Sequence, residues 1–512
     1  MSESNSFPAS VPNLPDQEMA RRLGARFAQL GVSMPGLLKH FGVQDEGQLA
    51  AMPDGAKAAR ISEPTAFNAI VRLFLRCSAC DDATVRLAFP DIPLEQLEAQ
   101  GVIVRHDGQV FGGFQLHVAG DVFAAADSPR ALGGTPEDMV TGISGADRFV
   151  GDLGLRRTFG KALELRAGQA YLSLLAAKHC ESVVAVDSNP RAAAYATFNA
   201  NLRGCNNVAA AVGSGIDAVR GQTFDYIFGN PPVEIRPGSR GSSRELGSEL
   251  RGDEYARSLI RSAAGLLNPG GYLQMMFDLP LRPGEDARQP LAAWFDGLSC
   301  DVLVYRIKAM DVKSYVMSWV RQEATDQGIQ SAEAIDGMLR TWAEFMQSQK
   351  LASITTMFVT LRRRDEWEAA ADRKPWMLAD EGNDRVVSPM SDHILRVFAN
   401  MDFLVGSDEQ KVAATRFRAS PDVRLRQELA LNESGGWQPS ENAIRMAGGF
   451  GRGAPAPTAM TNLLVMCDGQ RTTAEIIGLM AQAAKQPVDK VAPQMMAALR
   501  GLLERGIVSP VG

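Results

Sequence analysis

The sequence predicts an α/β protein: a doubly wound, largely parallel sheet flanked along the chain by small helical, winged-helix-like units. Three observations predict it. From residue 161 short apolar runs alternate with helical segments, the pattern of a parallel sheet covered on both faces. Helical periodicity dominates before residue 110 and after residue 391. The length, 512 residues, suits about three domains.

The elements follow in order. Residues 1–18 read as a polar, disordered lead-in with neither a basic start nor an apolar core. Residues 19–125 form a first unit of helices followed by β-type runs, with Asp107-Gly108 as a hairpin signal. His106 and His117 lie on either side of that turn and are assigned no chemistry. Cys77 and Cys80 form a lone CSAC in a helical stretch; with no second ligand pair they read as buried thiols.

The central unit spans 145–365. Its strands are KALEL, SVVAVD, NVAAAVG, FDYIFG, YLQMMFD, CDVLVYRI and ITTMFVTLRR. Helices lie between them; one has Pro190 in its first turn and Gly204 at its end. Arg362–Arg364 reads as a solvated strand end, and 366–390 as a charged loop. Residues 391–512 form a last helical unit with a turn at Asp468-Gly469, a capping box from Thr472 to Glu475 and a helix closed by Gly506. Its plainer role is packing or dimerisation, which makes a homodimer the quaternary state to consider. Its sharper role is substrate recognition.

Ligands of such sheets bind at the C-terminal strand ends. The first end runs from Glu164 through Gly168 to Ala170, a small-residue turn that lets a ligand approach the backbone. The second is Asp187, twenty-three residues on, where a carboxylate can accept ribose hydroxyls or cap the next helix. The third, Asn230-Pro231-Pro232 after FDYIFG, is the most specific. Two prolines remove two backbone donors and leave carbonyls beside an Asn side chain. Such a group can accept hydrogen bonds from an –NH₂ and orient its lone pair toward a methyl donor, although Asn-Pro is also a plain turn signal.

The order Glu164…Gly168, Asp187-Ser-Asn-Pro-Arg, Asp225-Tyr-Ile-Phe-Gly-Asn230-Pro-Pro and Leu267-Asn-Pro-Gly-Gly271 resembles the class I S-adenosylmethionine (SAM)-dependent methyltransferases. Within them it is similar to the NPP-motif branch, which modifies release-factor glutamine amides and amino groups of RNA and DNA bases. The resemblance implies a Rossmann-like sheet of seven strands, the last antiparallel, and SAM as cofactor. It implies that Glu164, Gly168 and Ala170 line the methionine part, that Asp187 holds the ribose, and that Ser188 and Asn189 flank the adenine. Gly213 and Ser214 would lie on the adenine side. Asn230, with Pro231 and Pro232, would hold donor and target nitrogen together, and Val233 and Glu234 would face the acceptor.

Two departures stand out. Arg166 and Ala170 occupy positions where the family has glycines, so the Arg166 side chain must either crowd the cofactor or turn to solvent. Val233 replaces an aromatic residue that stacks on planar substrates.

The function expected is N-directed methyl transfer to a peptide, protein or small-molecule acceptor in the cytoplasm, with no metal and no membrane. The alternatives are an RNA or DNA amino-methyltransferase and a non-catalytic SAM-fold scaffold. Nucleic acid is disfavoured by Val233 and by 53 Lys and Arg against 59 Asp and Glu, a net charge of −6. The segment 236–248 is expected to act as a lid, with Arg236, Arg240 and Arg244 solvated.

Overall fold

The computed structural model describes residues 13–132, 138–231, 235–237, 252–326, 329–365, 375–382, 386, 390–450 and 453–511. The chain forms two units. The first comprises Met1–Gly151, Thr158–Asp278 and Asp311–Ala352, the second Asp152–Arg157, Leu279–Met310 and Ser353–Gly512.

The first unit begins with the helix Gln17–Gln29, started by the Asp16 carboxylate accepting from the Met19 N–H. Its buried face of Met19, Ala20, Leu23, Gly24 and Phe27 repeats at helical spacing. After further short helices, β1 (Ile103–His106) and β2 (Gln109–Gly112) pair antiparallel around the Asp107-Gly108 turn. The β-type run Val110–Gly120 is broken after Gly112. There Gly113 crosses so close to Gly101 that an added Cβ would lie 2.0 Å from its carbonyl oxygen. β3 (Gln115–Ala119) and β4 (Val122–Ala126) form a second hairpin.

The central strands are β5 (Phe159–Leu165), β6 (Cys180–Asp187), β7 (Val208–Val212), β8 (Phe224–Gly229), β9 (Leu267–Leu281), β10 (Cys300–Asp311), β11 (Ser353–Arg363) and β12 (Met377–Glu381). Their order is β12-β10-β11-β9-β8-β5-β6-β7. β5–β6, β6–β7, β5–β8 and β8–β9 are parallel. The sheet therefore has eight strands where the resemblance implied seven. The extra strand, β12, comes from the stretch read as loop and pairs parallel with β10 from Val302↔Met377 to Arg306↔Glu381. Its charged ending hid a five-residue edge strand.

The solvated reading of Arg362–Arg364 is also corrected. Arg362 donates to Asp301 at 2.5 Å and to Asp402 at 2.5–2.7 Å, and Arg364 is buried. Two carboxylates brought from elsewhere in the fold compensate the charge.

Beyond the sheet the second unit carries β13 (Arg416–Ala419), β14 (Val423–Leu431), β15 (Trp437–Met446), β16 (Gly453–Pro455), β17 (Asp468–Thr472) and β18 (Val508–Pro510). They form two three-stranded sheets, β17-β13-β18 and β14-β15-β16. The first is packed by the helices Thr458–Met466, Thr473–Ala484 and Val488–Glu504 around Phe417, Leu463, Ile476, Leu499 and Leu503. The Thr472–Glu475 capping box forms. Among the described residues no helix is long and apolar enough to cross a membrane.

Candidate functional site

The strand order turns back between β5 and β8. β5 leads to β6 and β7 on one side, and β8 to β9 on the other. Crevices for ligands open at such reversals. The two strands meet closely at their C-terminal ends: a Cβ on Gly229 would lie 2.5 Å from the Leu165 carbonyl oxygen. Only glycine lets Asn230 emerge here beside the loop Arg166–Ala170.

That loop keeps the backbone of a glycine loop without all its glycines. Arg166 (φ 61°), Gly168 (φ 53°) and Ala170 (φ 63°) are all left-handed, a conformation costly for side chains other than glycine. Arg166 neither crowds the loop nor turns to solvent, because its guanidinium donates to the Ser188 hydroxyl. Ala170 fits in a cluster of small residues with Ala167, Ala185 and Ala196. A Cβ on Gly168 would meet nothing within 4 Å, so the outer face of the loop is open.

Asp187, buried at the end of β6, organises this loop. Its Oδ2 accepts from the Gly168 N–H at 3.0 Å and its Oδ1 from the Asn189 N–H at 2.9 Å. The Asn189 side chain is occupied: its oxygen caps the helix Pro190–Leu202, and its amide donates to the Asp138 carbonyl. Gly213, just past β7, donates its N–H to the Asp187 carbonyl. It approaches Ala218 so closely that a Cβ would lie 2.5 Å from the Ala218 Cβ. Ser214 follows it and is exposed.

Glu164 is buried and accepts from the Ser173 N–H at 2.7 Å. Burial pushes its carboxyl up to about 8; the Ser173 hydrogen bonds oppose this, and the charges of Asp147 and Asp187 add to it. Three carboxylates thus converge at the strand ends. Asp147 was missed by sequence reasoning. It lies in the helix Gly145–Leu153, before the first strand of the sheet, and no spacing rule ties it to the site. Its Oδ1 accepts from Asn230 Nδ2 at 2.9 Å, and its Oδ2 holds the Ser144 N–H and hydroxyl. The Asn230 carbonyl oxygen has no donor among the described residues.

Pro231 is buried. Pro232, Val233 and Glu234 lie outside the described residues, as do 238–251, where Arg240, Arg244 and most of the expected lid fall. The chain is described again at Ile235, whose N–H donates to the Tyr315 hydroxyl at 2.9 Å; that hydroxyl donates to buried Asp278 at 2.8 Å. Arg236 is not solvated. It pairs with Glu323 at 3.2 Å and lies 5.9 Å from the centre of the Trp342 ring. Tyr315, Glu323 and Trp342 come from the helices Val312–Asp326 and Ala332–Ser348, which separate β10 from β11 in sequence. No pattern near the Asn-Pro-Pro motif announces this contact.

These residues fit SAM. An open turn with left-handed backbone and carboxyl groups gathered at the strand ends suit a ligand bearing a sulfonium and an ammonium group.

Residues 144–287 match the family model of the methyltransferase small domain, and residues 395–510 match a domain of unknown function, DUF7782. No curated protein matches the chain. Similar solved structures include a methyltransferase from Pyrococcus furiosus (19% identity, 41% of this chain and 78% of that one, TM-score 0.25). Another is an rRNA methylase from Streptococcus thermophilus (10%, 42% and 93%, TM-score 0.24). A third is a phosphoethanolamine-type N-methyltransferase from Haemonchus contortus in complex with S-adenosylhomocysteine (14%, 43% and 52%, TM-score 0.27). With the methyltransferase small domain matched over the strand ends described above, the chain is a SAM-dependent methyltransferase of Rossmann-like α/β fold, and SAM is its methyl donor.

Proposed function

We infer that the enzyme methylates a nitrogen of a peptide, protein or small-molecule acceptor. The observation that carries this reading is the hydrogen bond from Asn230 to Asp147. An amide side chain can present either a donor or an acceptor. With one Nδ2 hydrogen given to the Asp147 carboxylate, the Asn230 amide is held in one orientation and its oxygen is left to accept. An oriented amide oxygen beside a proline carbonyl suits a substrate bearing N–H. Asn230 and the Pro231 carbonyl would take hydrogen bonds from that nitrogen and so aim its lone pair.

SAM, when bound, supplies an electrophilic methyl on a positively charged sulfur. The chain's own part is to hold the two partners. Asp187 and Gly168 would hold the ribose side, and Glu164 and Ala170 the methionine side. Ser188, Gly213 and Ser214 would border the adenine, with Asn189 serving through its backbone while its side chain caps the helix. The helices Val312–Asp326 and Ala332–Ser348 secure the chain beyond the motif through Tyr315 and Arg236. In this reading the catalytic domain extends over 145–365, belongs to the NPP-motif branch and works in the cytoplasm. Val233 and Glu234 would meet the acceptor.

An RNA or DNA amino-methyltransferase is the second reading. It needs cationic groups for phosphate, and Arg236, nearest the motif, is engaged by Glu323 and Trp342. Methyl-labelled SAM incubated with cell-extract fractions separates the two. Label in protease-sensitive or small-molecule material is expected. Nuclease-sensitive label whose yield falls steeply with salt would replace the first reading by the second.

A further inference from the structure

We propose that β14 is a self-complementary edge strand through which two copies of the chain join, extending the β14-β15-β16 sheet across a twofold axis. This assigns an interaction surface to the domain of unknown function, whose match spans 395–510.

β14 is the terminal strand of its sheet, and it is unlike a protected edge. Leu425, Leu429 and Leu431 are 46%, 49% and 60% exposed, and Trp437, opposite Leu431, is 68% exposed. The residues alternate strictly. Val423, Leu425, Gln427, Leu429 and Leu431 lie on one face, and Arg424, Arg426, Glu428 and Ala430 on the other. The register shift between β14 and β15 falls where Glu428 faces Glu441 and Leu429 faces Pro439. The extra residue, Ser440, is on β15, so β14 keeps its alternation over its full length. A long apolar edge that stays regular invites another strand, and beyond Ala443, where the pairing with β16 stops, the arm is two-stranded and marginal alone.

The order of side chains names the occupant. In an antiparallel pair centred on Gln427, Val423 faces Leu431 of the second copy, Leu425 faces Leu429, Arg424 faces Ala430, and Arg426 faces Glu428. On the face of Val423, Leu425, Leu429 and Leu431 every apolar residue meets an apolar one, and each Arg426 meets an opposite charge, twice by symmetry. Within one chain these charges are uncompensated: neither Arg426 nor Glu428 makes an ion pair among the described residues. Guarding charges of one sign would repel a second copy. Here the signs are arranged to attract it.

Sedimentation of the full chain, wild type and variant, at matched concentrations tests this. The wild type is expected to be dimeric. Arg426→Glu puts Glu opposite Glu, and Glu428→Arg puts Arg opposite Arg, so each variant should dissociate at least about tenfold more readily. Mixed in equal amounts, the two variants should form a heterodimer, because both cross-strand pairs then regain opposite charge. All three proteins should keep the same SAM affinity, which shows that they are folded. A monomeric wild type overturns the proposal. A dimer unmoved by either substitution, or single variants that fail to recombine, would overturn the strand register and with it the proposal.

Discussion

Asn230 and Asp147 illustrate how an amide is given a direction. The Asp147 carboxylate, itself held by Ser144, takes one Asn230 amide hydrogen and so fixes the orientation of the amide. Under the proposed function Asn230→Ala should therefore lower kcat far more than it weakens SAM binding, since the lost acceptor would act on the reacting nitrogen. Equal kinetics for variant and wild type would reduce the motif to a turn. Asp187→Ala should weaken SAM binding by about 1–3 kcal/mol, because it strips a charged acceptor from the ribose position and from the Gly168 N–H; calorimetry measures it.

Glu164 adds a pH dependence whose sign follows from its raised pKa. Its carboxyl, at about 8 in the folded chain against an ordinary 4.5, holds a proton at neutral pH. The stability it contributes is present below its unfolded value and is lost as pH rises through the folded one. Cationic SAM favours the ionised form, so affinity should rise between neutrality and pH 9. Comparison with Glu164→Gln cancels the ligand's own titration. A slope unchanged in that variant would place the titrating group elsewhere.

Among the elements, the two helices between β10 and β11 do more than connect strands. Tyr315 joins the Ile235 N–H to the buried Asp278 carboxylate. Tyr315→Phe keeps the ring but leaves both partners unmatched, and should cost about 1–3 kcal/mol of stability in chemical denaturation. The acceptor KM should rise more than the SAM Kd, since the bond anchors the chain on the acceptor side of Asn230. A KM unchanged alongside the stability loss would confine Tyr315 to packing. β5 and β8 show the complementary constraint. They approach at Gly229, where even alanine would press on the Leu165 carbonyl.

In the molecule as a whole, the N-terminal hairpins and the strands β5 to β8 belong to one unit. Gly24 lies against Leu202, where a Cβ would sit 1.7 Å from the carbonyl oxygen. Asp127, just past β4, binds Arg191 through two hydrogen bonds of 2.6 Å and also accepts from Tyr195. Asn199 donates to the Ala125 and Gln169 carbonyls and accepts the Ala125 N–H. The helix Pro190–Leu202, which follows Asp187, is thus clamped from the N-terminal side. Asp127→Ala leaves a buried guanidinium unpaired and should cost about 3–5 kcal/mol. Thermal unfolding should show one lowered transition covering both parts. A separate early transition of the N-terminal part alone would show that the clamp does not couple them.

Strand–helix alternation, the places of Asp187 and Asn230 at strand ends and the Thr472–Glu475 cap were legible in the sequence because each is a local matter. Periodicity, proline geometry and capping are settled within a few residues. β12 was not legible, because its charged residues suit an edge that only β10 makes possible. The burial of Arg362 was hidden for the same reason: Asp301 and Asp402, which compensate it, are 61 and 40 residues away. Arg166 looked like a misfit until Ser188, 22 residues on, received its guanidinium. Asp147 and Tyr315 reach the site across 83 and 80 residues. Sequence determined which residues stand at the strand ends. Tertiary structure decided which charges are paired and which way Asn230 faces, because a buried polar group takes its partner from whatever the fold brings within hydrogen-bond distance.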